Sequence, residues 1–429
     1  MLVCVESSRR VIRSVAFVGS AFTVTALLGA CSGLIGVNDL FFDVNATPGG
    51  GEGGNGEGSV NPDGSSGDGG VDASVVIDCA SADTKTDPKH CGACGQDCTH
   101  GMCAAGVCTL AVDMKSPNSV VVMGGNVIVG LLGGTGAVVS CPTSGCASAT
   151  VGVKSLSANA VGDPYPWRVA ATGTHVWASD YLSSNKGGVR RMLPAGGEFL
   201  TLPVGVNQER SYGIAVDQSA VYWTTVGSPG AVQYCDLPQC AGGLKTVATV
   251  ASGDAELIAV AADGNIVWAE SSGGVLKRCP SKTGCTPALL VPDFQGVVND
   301  LTIDGTTVYW GTNLGEILSC ATIGCANVTK IVLEEPKATI GAIAVSGSSL
   351  FWSSMELAPD GNSIFQDQGK IKTCTMPKCT AADTRVLATN QKDPSAMTVD
   401  ANSVFWANSG KRGFSDGIGN LLKAPRNPK

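Results

Sequence analysis

At 429 residues, with 44% hydrophobic and 15% charged residues, the chain has material for a large core and a small satellite. The net charge of −8 comes with no basic stripe, which excludes the usual cationic surface of a nucleic-acid binder. Helical patterning is nearly absent beyond the N-terminus, and 57 glycines fit a turn-rich all-β protein.

Residues 1–30 read as a signal peptide. Arg9, Arg10 and Arg13 precede an apolar run from Val15 to Leu28, short for a membrane span with these flanks. The run ends Leu28-Gly29-Ala30-Cys31, which resembles a bacterial lipobox and implies lipidation at Cys31, the new N-terminus. Ser32 after the cysteine is similar to outer-membrane lipoproteins, implying an exported, outer-membrane-anchored chain on the periplasmic or cell-surface side. Ser8-Arg9-Arg10-Val11-Ile12 half-matches a twin-arginine signal, a route at odds with many disulfides.

Residues 31–78 form the lipidated N-terminus and a tether. Val44 to Gly70 holds eleven glycines and neither Lys nor Arg, so it cannot bury enough apolar area to offset its ordering entropy. Asp63-Gly64 and Asp68-Gly69 lack the ligand alternation and closing Glu of a calcium loop.

A cysteine-rich module occupies 79–108, with Cys79, Cys91, Cys94, Cys98, Cys103 and Cys108 interleaved with His90 and His100. Cys91-x-x-Cys94 with the histidines offers a zinc site. An even cysteine count in an exported chain favours three disulfides stapling a coreless loop, with the pairing open. The run DPKHCGACGQDC, continued by GMCAAGVC, resembles a module of secreted lipoproteins from myxobacteria and related bacteria, which implies lineage and export rather than chemistry.

From 109 to 429 one stretch recurs. GIAVDQSAVYWTT, ending at Thr225, returns as LTIDGTTVYWGT, AIAVSGSSLFWSS, AMTVDANSVFWAN, IAVAADGNIVWAE and RVAATGTHVWAS. Trp177, Trp223, Trp268, Trp310, Trp352 and Trp406 share one slot in it, at gaps of 46, 45, 42, 42 and 54 residues. Each unit carries two alternating strands joined at a turn such as Asp263-Gly264 or Asp304-Gly305, then a third (GAVQYC, GVLKRC, GEILSC, GKIKTC) and a fourth (KTVATV, PALLV, KIVLEE, RVLAT). A period of this length with four short strands predicts a β-propeller. The indoles fill the wedges between blades. A first unit, Ser119 to Asn159, lacks the Trp and puts Val129 near its slot, which makes seven blades. The seventh ends without a fourth strand, and Cys108 to Met114 is expected to supply it; six blades with an appendage is the alternative.

Five further cysteine pairs are expected to be disulfides: Cys141 with Cys146, Cys235 with Cys240, Cys279 with Cys285, Cys320 with Cys325, and Cys374 with Cys379. Each falls between third and fourth strands, where a hairpin brings two sulfurs together. No metal and no cofactor is expected: each pair would need two more ligands, and His175 is the only propeller histidine. The repeats IAVDQSAVYWTT and LTIDGTTVYWGT resemble YWTD-type propellers over about 310 residues. That resemblance implies an extracellular setting and, by analogy with animal members, protein ligands, although Thr225 and Thr312 replace the acidic residue of the motif.

A ligand face is expected where second-to-third-strand loops and inter-blade loops converge. The former bring Asp180, Tyr181, Glu270, Asn313, Glu356 and Asn408; the latter bring Tyr165, Trp167, Glu209, Arg210, Tyr212, Asp254, Asn299 and Asp300. The long insertions Ser353 to Gly369 and Asn408 to Asn420 belong to the same loop class. Three functions remain in view: a membrane-anchored binding module for a protein or glycan, a structural subunit of an envelope complex, and an extracytoplasmic lyase or hydrolase. The repeat layout distantly resembles streptogramin lyases, but no catalytic residue stands out, and His175 is expected inside a strand near Trp177.

Overall fold

The computed structural model describes residues 81–427 apart from 134–135, 149–153, 156–164, 182–187, 195–198, 204–207, 228, 239, 241, 251–253, 271–273, 292–294, 335–337, 358–366, 378 and 411–416. The targeting segment, Cys31, the tether and Cys79 lie outside them.

Alternating apolar residues and tight turns give seven antiparallel blades in chain order. Their innermost strands are Pro117–Met123, Pro166–Ala171, Gln208–Val216, Ala255–Val260, Val298–Asp304, Ala338–Ser346 and Pro394–Val399. Gly264 and Gly305 adopt φ of 83° and 60° at the inner hairpins, a region open to Gly at little steric penalty.

The six tryptophans of the repeat are fully enclosed, and all but Trp177 pack on the preceding blade. Trp268 meets Tyr222 and Tyr234, Trp352 meets Tyr309, and Trp406 meets Phe351. Burying a ring of this size stabilises by roughly 4–6 kcal/mol as an upper figure. Four of the indole N–H groups have acceptors: Gln233 Oε1 for Trp223 (2.9 Å), Glu270 Oε1 for Trp268 (3.0 Å), Glu334 Oε1 for Trp352 (2.6 Å) and Gln391 Oε1 for Trp406 (2.8 Å). Val129 holds the slot in blade 1 and packs with Phe405 and Leu110.

Trp177 departs from the expected slot. It pairs with Ala170, whereas Ala178 takes the slot opposite Val169. Strand side chains alternate, so one residue of slip turns the ring to the other face. Ala178 therefore packs on blade 1, while Trp177 points forward and shares a wedge with Trp223.

The ring closes as expected. Strand Val107–Lys115 pairs antiparallel with Ile418–Pro425 and becomes the fourth strand of blade 7. Met102–Ala104 adds beyond it, and Ala147–Ser148 of blade 1 pairs with it in parallel.

The cysteine module is built onto this seam. Cys91 is bonded to Cys103 and Cys98 to Cys108, and Cys94 is disulfide-bonded too, which removes the thiolates a zinc site needs. His90 Nδ1 instead accepts from Gly95 N (3.1 Å). Cys108 lies in the closing strand, opposite Lys423. The buried Lys423 ammonium donates to Asp97 O and to Thr143 O (2.6 Å), joining module, blade 1 and blade 7. Burial lowers the Lys423 pKa, with Asp97 pulling it back. Gly145 (φ 113°) must be glycine, since a Cβ there would sit 2.6 Å from Gly101 N.

The propeller cysteines pair within their own blades. Cys141 is bonded to Cys146 in blade 1, Cys235 to Cys240 in blade 3 and Cys279 to Cys285 in blade 4. Cys320 is bonded to Cys325 in blade 5 and Cys374 to Cys379 in blade 6. Each bond closes a loop that follows the third strand, with Cα–Cα distances of 5.0–5.7 Å. Cys146, Cys240 and Cys379 are buried with their partners, whereas Cys285 and Cys325 are half-buried at the edges of the cores of blades 3–4 and 4–5. Cys146 departs from the simple hairpin reading, because its N–H donates to Leu110 O (2.8 Å) and so reaches the closing strand of blade 7. Cys240 takes a positive φ of 54°, an uncommon conformation for a residue with a Cβ.

These loops lean on the inner hairpins: Thr143 N donates to Gly125 O (3.0 Å), Leu237 N to Ser219 O (2.9 Å) and Met376 N to Ser348 O (2.7 Å). Disulfide loops, inner hairpins and the cysteine module thus share one end of the strands. Removing the seam bond with Cys98→Ala and Cys108→Ala together should cost about 2–4 kcal/mol. Hydrogen exchange should accelerate in 107–115 and 418–425 while 307–312 keeps its protection; uniform acceleration would contradict the seam role.

Candidate functional site

The opposite end of the strands carries the expected face, and a recurrent irregularity shapes it. Every innermost strand has a register shift near its start, between Pro117 and Ser119, Pro166 and Arg168, Ser211 and Ile214, Ala255 and Leu257, Val298 and Asp300, Ile340 and Ile343, and Pro394 and Ala396. A bulge re-aims the extra residue. Here it frees backbone groups that side chains of the neighbouring blade bind. Asn118 Nδ2 donates to Trp167 O (2.8 Å), Thr224 Oγ1 to Glu256 O (2.9 Å), Asn299 Nδ2 to Ile340 O (2.7 Å) and Ser353 Oγ to Pro394 O (2.8 Å). Ser179 Oγ donates to Tyr212 O in the same way. The blades are therefore laced together at this end by buried hydrogen bonds.

Several residues expected in inter-blade loops sit within these strands: Trp167 in blade 2, Glu209, Arg210 and Tyr212 in blade 3, and Asn299 and Asp300 in blade 5. The bulges let regular strand continue to the rim, which alternation alone does not reveal.

Five of the expected residues come together where blades 2 and 3 meet. The Trp167 ring lies 5.1 Å from Tyr181 and 4.9 Å from Tyr212, and Tyr181 meets Tyr212 edge-on at 5.3 Å. The Arg210 guanidinium stacks 4.5 Å from the Tyr181 ring centre and donates through NH1 to its hydroxyl. Tyr181 N donates to Tyr165 O (2.9 Å). Trp167 and Tyr212 are buried beneath, while Tyr181 and Arg210 are half-buried. Rings this close leave no room for a cation between them, so the cluster is a packed floor and not a cage. Burial pushes the Tyr212 hydroxyl well above the ordinary phenol range; Glu256, Tyr181 and Asp254 add to the rise and Arg168 opposes it.

The remaining candidates have internal work. Asp180 forms a buried ion pair with Arg190; burial raises its carboxyl and the guanidinium opposes that rise. Glu270 holds Trp268 and Lys277 (2.9 Å). Asp300 accepts from Leu301 N (2.9 Å) and Ile343 N (2.5 Å), and Asn313 from Val297 N (2.8 Å). Asn408 Nδ2 donates to Gln391 Oε1 (3.0 Å). Glu356 pairs with Lys370 on an open cavity of about 510 Å³ that also meets Asp367, Gln368, Asn390 and Lys392. His175 precedes its strand in the inner hairpin of blade 2, beside Thr174 Oγ1 (2.9 Å), at the disulfide end and not within the strand.

Sequence reasoning missed Arg168, Glu334 and Gln391. Arg168 is fully buried and donates through NH1 to Trp167 O (2.8 Å) and Asn118 O (3.4 Å). Its signal was a charge inside the apolar run PWRVAA.

No family model matches the chain and no curated protein matches its sequence. Solved structures do match. A streptogramin B lyase aligns at 14% identity and TM-score 0.53, over 73% of this chain and 95% of the other. The WD40 repeats of RRP9 align at 9% identity and TM-score 0.54, over 74% and 97%. YCF48 bound to D1 peptide aligns at 8% identity and TM-score 0.53, over 74% and 95%. The likeness is one of fold. This chain is a β-propeller similar to proteins of divergent roles.

The buried pair gives a direct test of how rigidly the rim is held. Asp180→Ala removes the carboxylate paired with the buried Arg190 and should destabilise by roughly 3–5 kcal/mol, whereas Asp180→Leu with Arg190→Met should restore most of the loss. Urea unfolding of both variants checks this.

Proposed function

We propose that the protein is a cell-envelope-anchored lipoprotein whose propeller, spanning 109–429, is an extracytoplasmic binding module for a protein or glycan. In this reading residues 1–30 are the signal peptide, Cys31 carries the lipid, 31–78 is the tether and 79–108 is the cysteine module that joins tether to ring. The five propeller disulfides and those of the module fit an oxidising compartment.

The observation that carries the binding role is the cluster of Trp167, Tyr181, Arg210 and Tyr212. Trp, Tyr and Arg dominate the residues that supply interface energy, and they do so best on rigid, desolvated floors. The cluster lies at the end of the strands opposite the cysteine module, so a tether leaving the module keeps it free to meet a ligand. YCF48, a structural neighbour, is bound to a peptide in its own structure. The lyase reading has less support, since His175 belongs to the disulfide end.

Two measurements test the proposal. Cys31→Ser should move the protein from the membrane pellet to the soluble fraction, and continued sedimentation with outer membranes would contradict the anchor. Thermal-shift screening of residues 74–429 against glycans, peptides and ions should find one stabilising class, and Tyr181→Ala with Arg210→Ala should abolish its shift. A flat screen would transfer support to a structural subunit of an envelope complex.

A further inference from the structure

We propose that Arg210 is the docking point for a carboxylate of the ligand, and that the ligand is an acidic peptide segment. This rests on the binding role of the aromatic cluster.

Other enclosed cations have carboxylates or backbone carbonyls as acceptors. Arg190 has Asp180, Lys277 has Glu270, Lys372 has Glu334 and Lys370 has Glu356. Lys423 and Arg426 draw on backbone carbonyls, Arg426 through Asp400 O (3.1 Å) and Ser346 O (3.0 Å). Arg210 differs. Among the described residues its only hydrogen-bond acceptor is the Tyr181 hydroxyl, with neither a carboxylate nor a backbone carbonyl. A half-buried guanidinium lacking an anionic partner is a donor surplus, and enclosed donors are normally matched.

The surplus is shared by its neighbour. Trp167 is 3% exposed, and its indole N–H has no acceptor among the described residues. That N–H and the Arg210 Nε both lie below the surface, so the part of the corner that can meet a ligand is the NH2 end of the half-buried Arg210 guanidinium, which is not enclosed. A guanidinium fixed by stacking and by one hydrogen bond presents its terminal N–H groups in a plane, the shape that matches a carboxylate. One such cation suits one negative charge. The net charge of −8 also means that the chain as a whole does not attract acids, so the attraction is local to this corner.

The test uses the full-length protein on an array of short peptides. Each acidic sequence is printed beside its Gln/Asn counterpart, and each is printed with free and amidated C-termini. Acidic or free-carboxyl peptides should bind, and neutralising the carboxylate should weaken binding by at least about tenfold. Loss on Glu→Gln in the peptide identifies a side-chain carboxylate, and loss on amidation a terminal one. Arg210→Met should erase the discrimination while Arg210→Lys keeps part of it, with unfolding midpoints near wild type. Tyr181→Phe, which removes only the orienting hydroxyl, should weaken acidic peptides selectively. Equal binding of charged and neutral peptides, or discrimination that survives Arg210→Met, would overturn the carboxylate assignment and leave the binding role standing. If the wild-type protein binds no peptide on the array, the acidic-peptide inference fails, and a glycan in the separate screen would then carry the binding role alone.

Discussion

A ring of blades locks only when its last blade is completed, and here completion falls to Val107–Lys115 pairing with Ile418–Pro425. Every inter-blade wedge depends on that pairing, because an open ring lets the terminal blades rotate apart and wets the faces they share. The closing strand is held on three sides. The bond from Cys98 to Cys108 ties it to the module, Lys423 ties its partner strand to Asp97 and Thr143, and Ala147–Ser148 covers part of its outer edge. The cysteine module thus acts as the clasp of the ring as well as the link to the segment before it.

Closure allows the opposite end to be stiff. The side chains that reach bulged backbone in the neighbouring blade, Asn118, Ser179, Thr224, Asn299 and Ser353, are all buried. Buried hydrogen bonds of this kind are costly to break, since each leaves an unmatched group behind. Wedge indoles capped by Gln233, Glu270, Glu334 and Gln391 fix the blades lower down. The Trp167–Tyr212 floor therefore sits on a scaffold with little freedom, which lowers the ordering penalty for whatever binds above it.

The repeat was legible because each blade must fill the same wedge with the same shape of side chain, and third and fourth strands follow from the loops the cysteines close. The short spacing of Cys235 and Cys240, or of Cys374 and Cys379, was enough to pair them, since no other cysteine lies near in the chain. The substitution of Val129 for a ring was legible too, since it keeps the alternation. Trp177 was not: VWAS and VYWTT look alike as strings, and only the placement of the bulge at Arg168 shows that the ring faces the other way. Among the rim candidates, Trp167, Tyr181, Arg210 and Tyr212 meet in one corner. Residue type did not separate these from Asp180, Glu270 and Asn408, whose polarity is consumed within the fold by Arg190, Trp268 and Gln391. Partners such as Glu334 and Gln391 come from strand ends of neighbouring segments, and sequence carries no cue to those pairings.

The disc has two unlike ends, with the cysteine module at the disulfide end and, in the proposed function, the ligand at the Tyr181–Arg210 end. Site-specific photo-crosslinking in intact cells tests this division most directly, with the reactive group at Tyr181 in one variant and in another at Ile323, which is 66% exposed in a disulfide loop of blade 5. The account predicts a discrete adduct from position 181 and none from position 323. An adduct from 323 with none from 181 would contradict it.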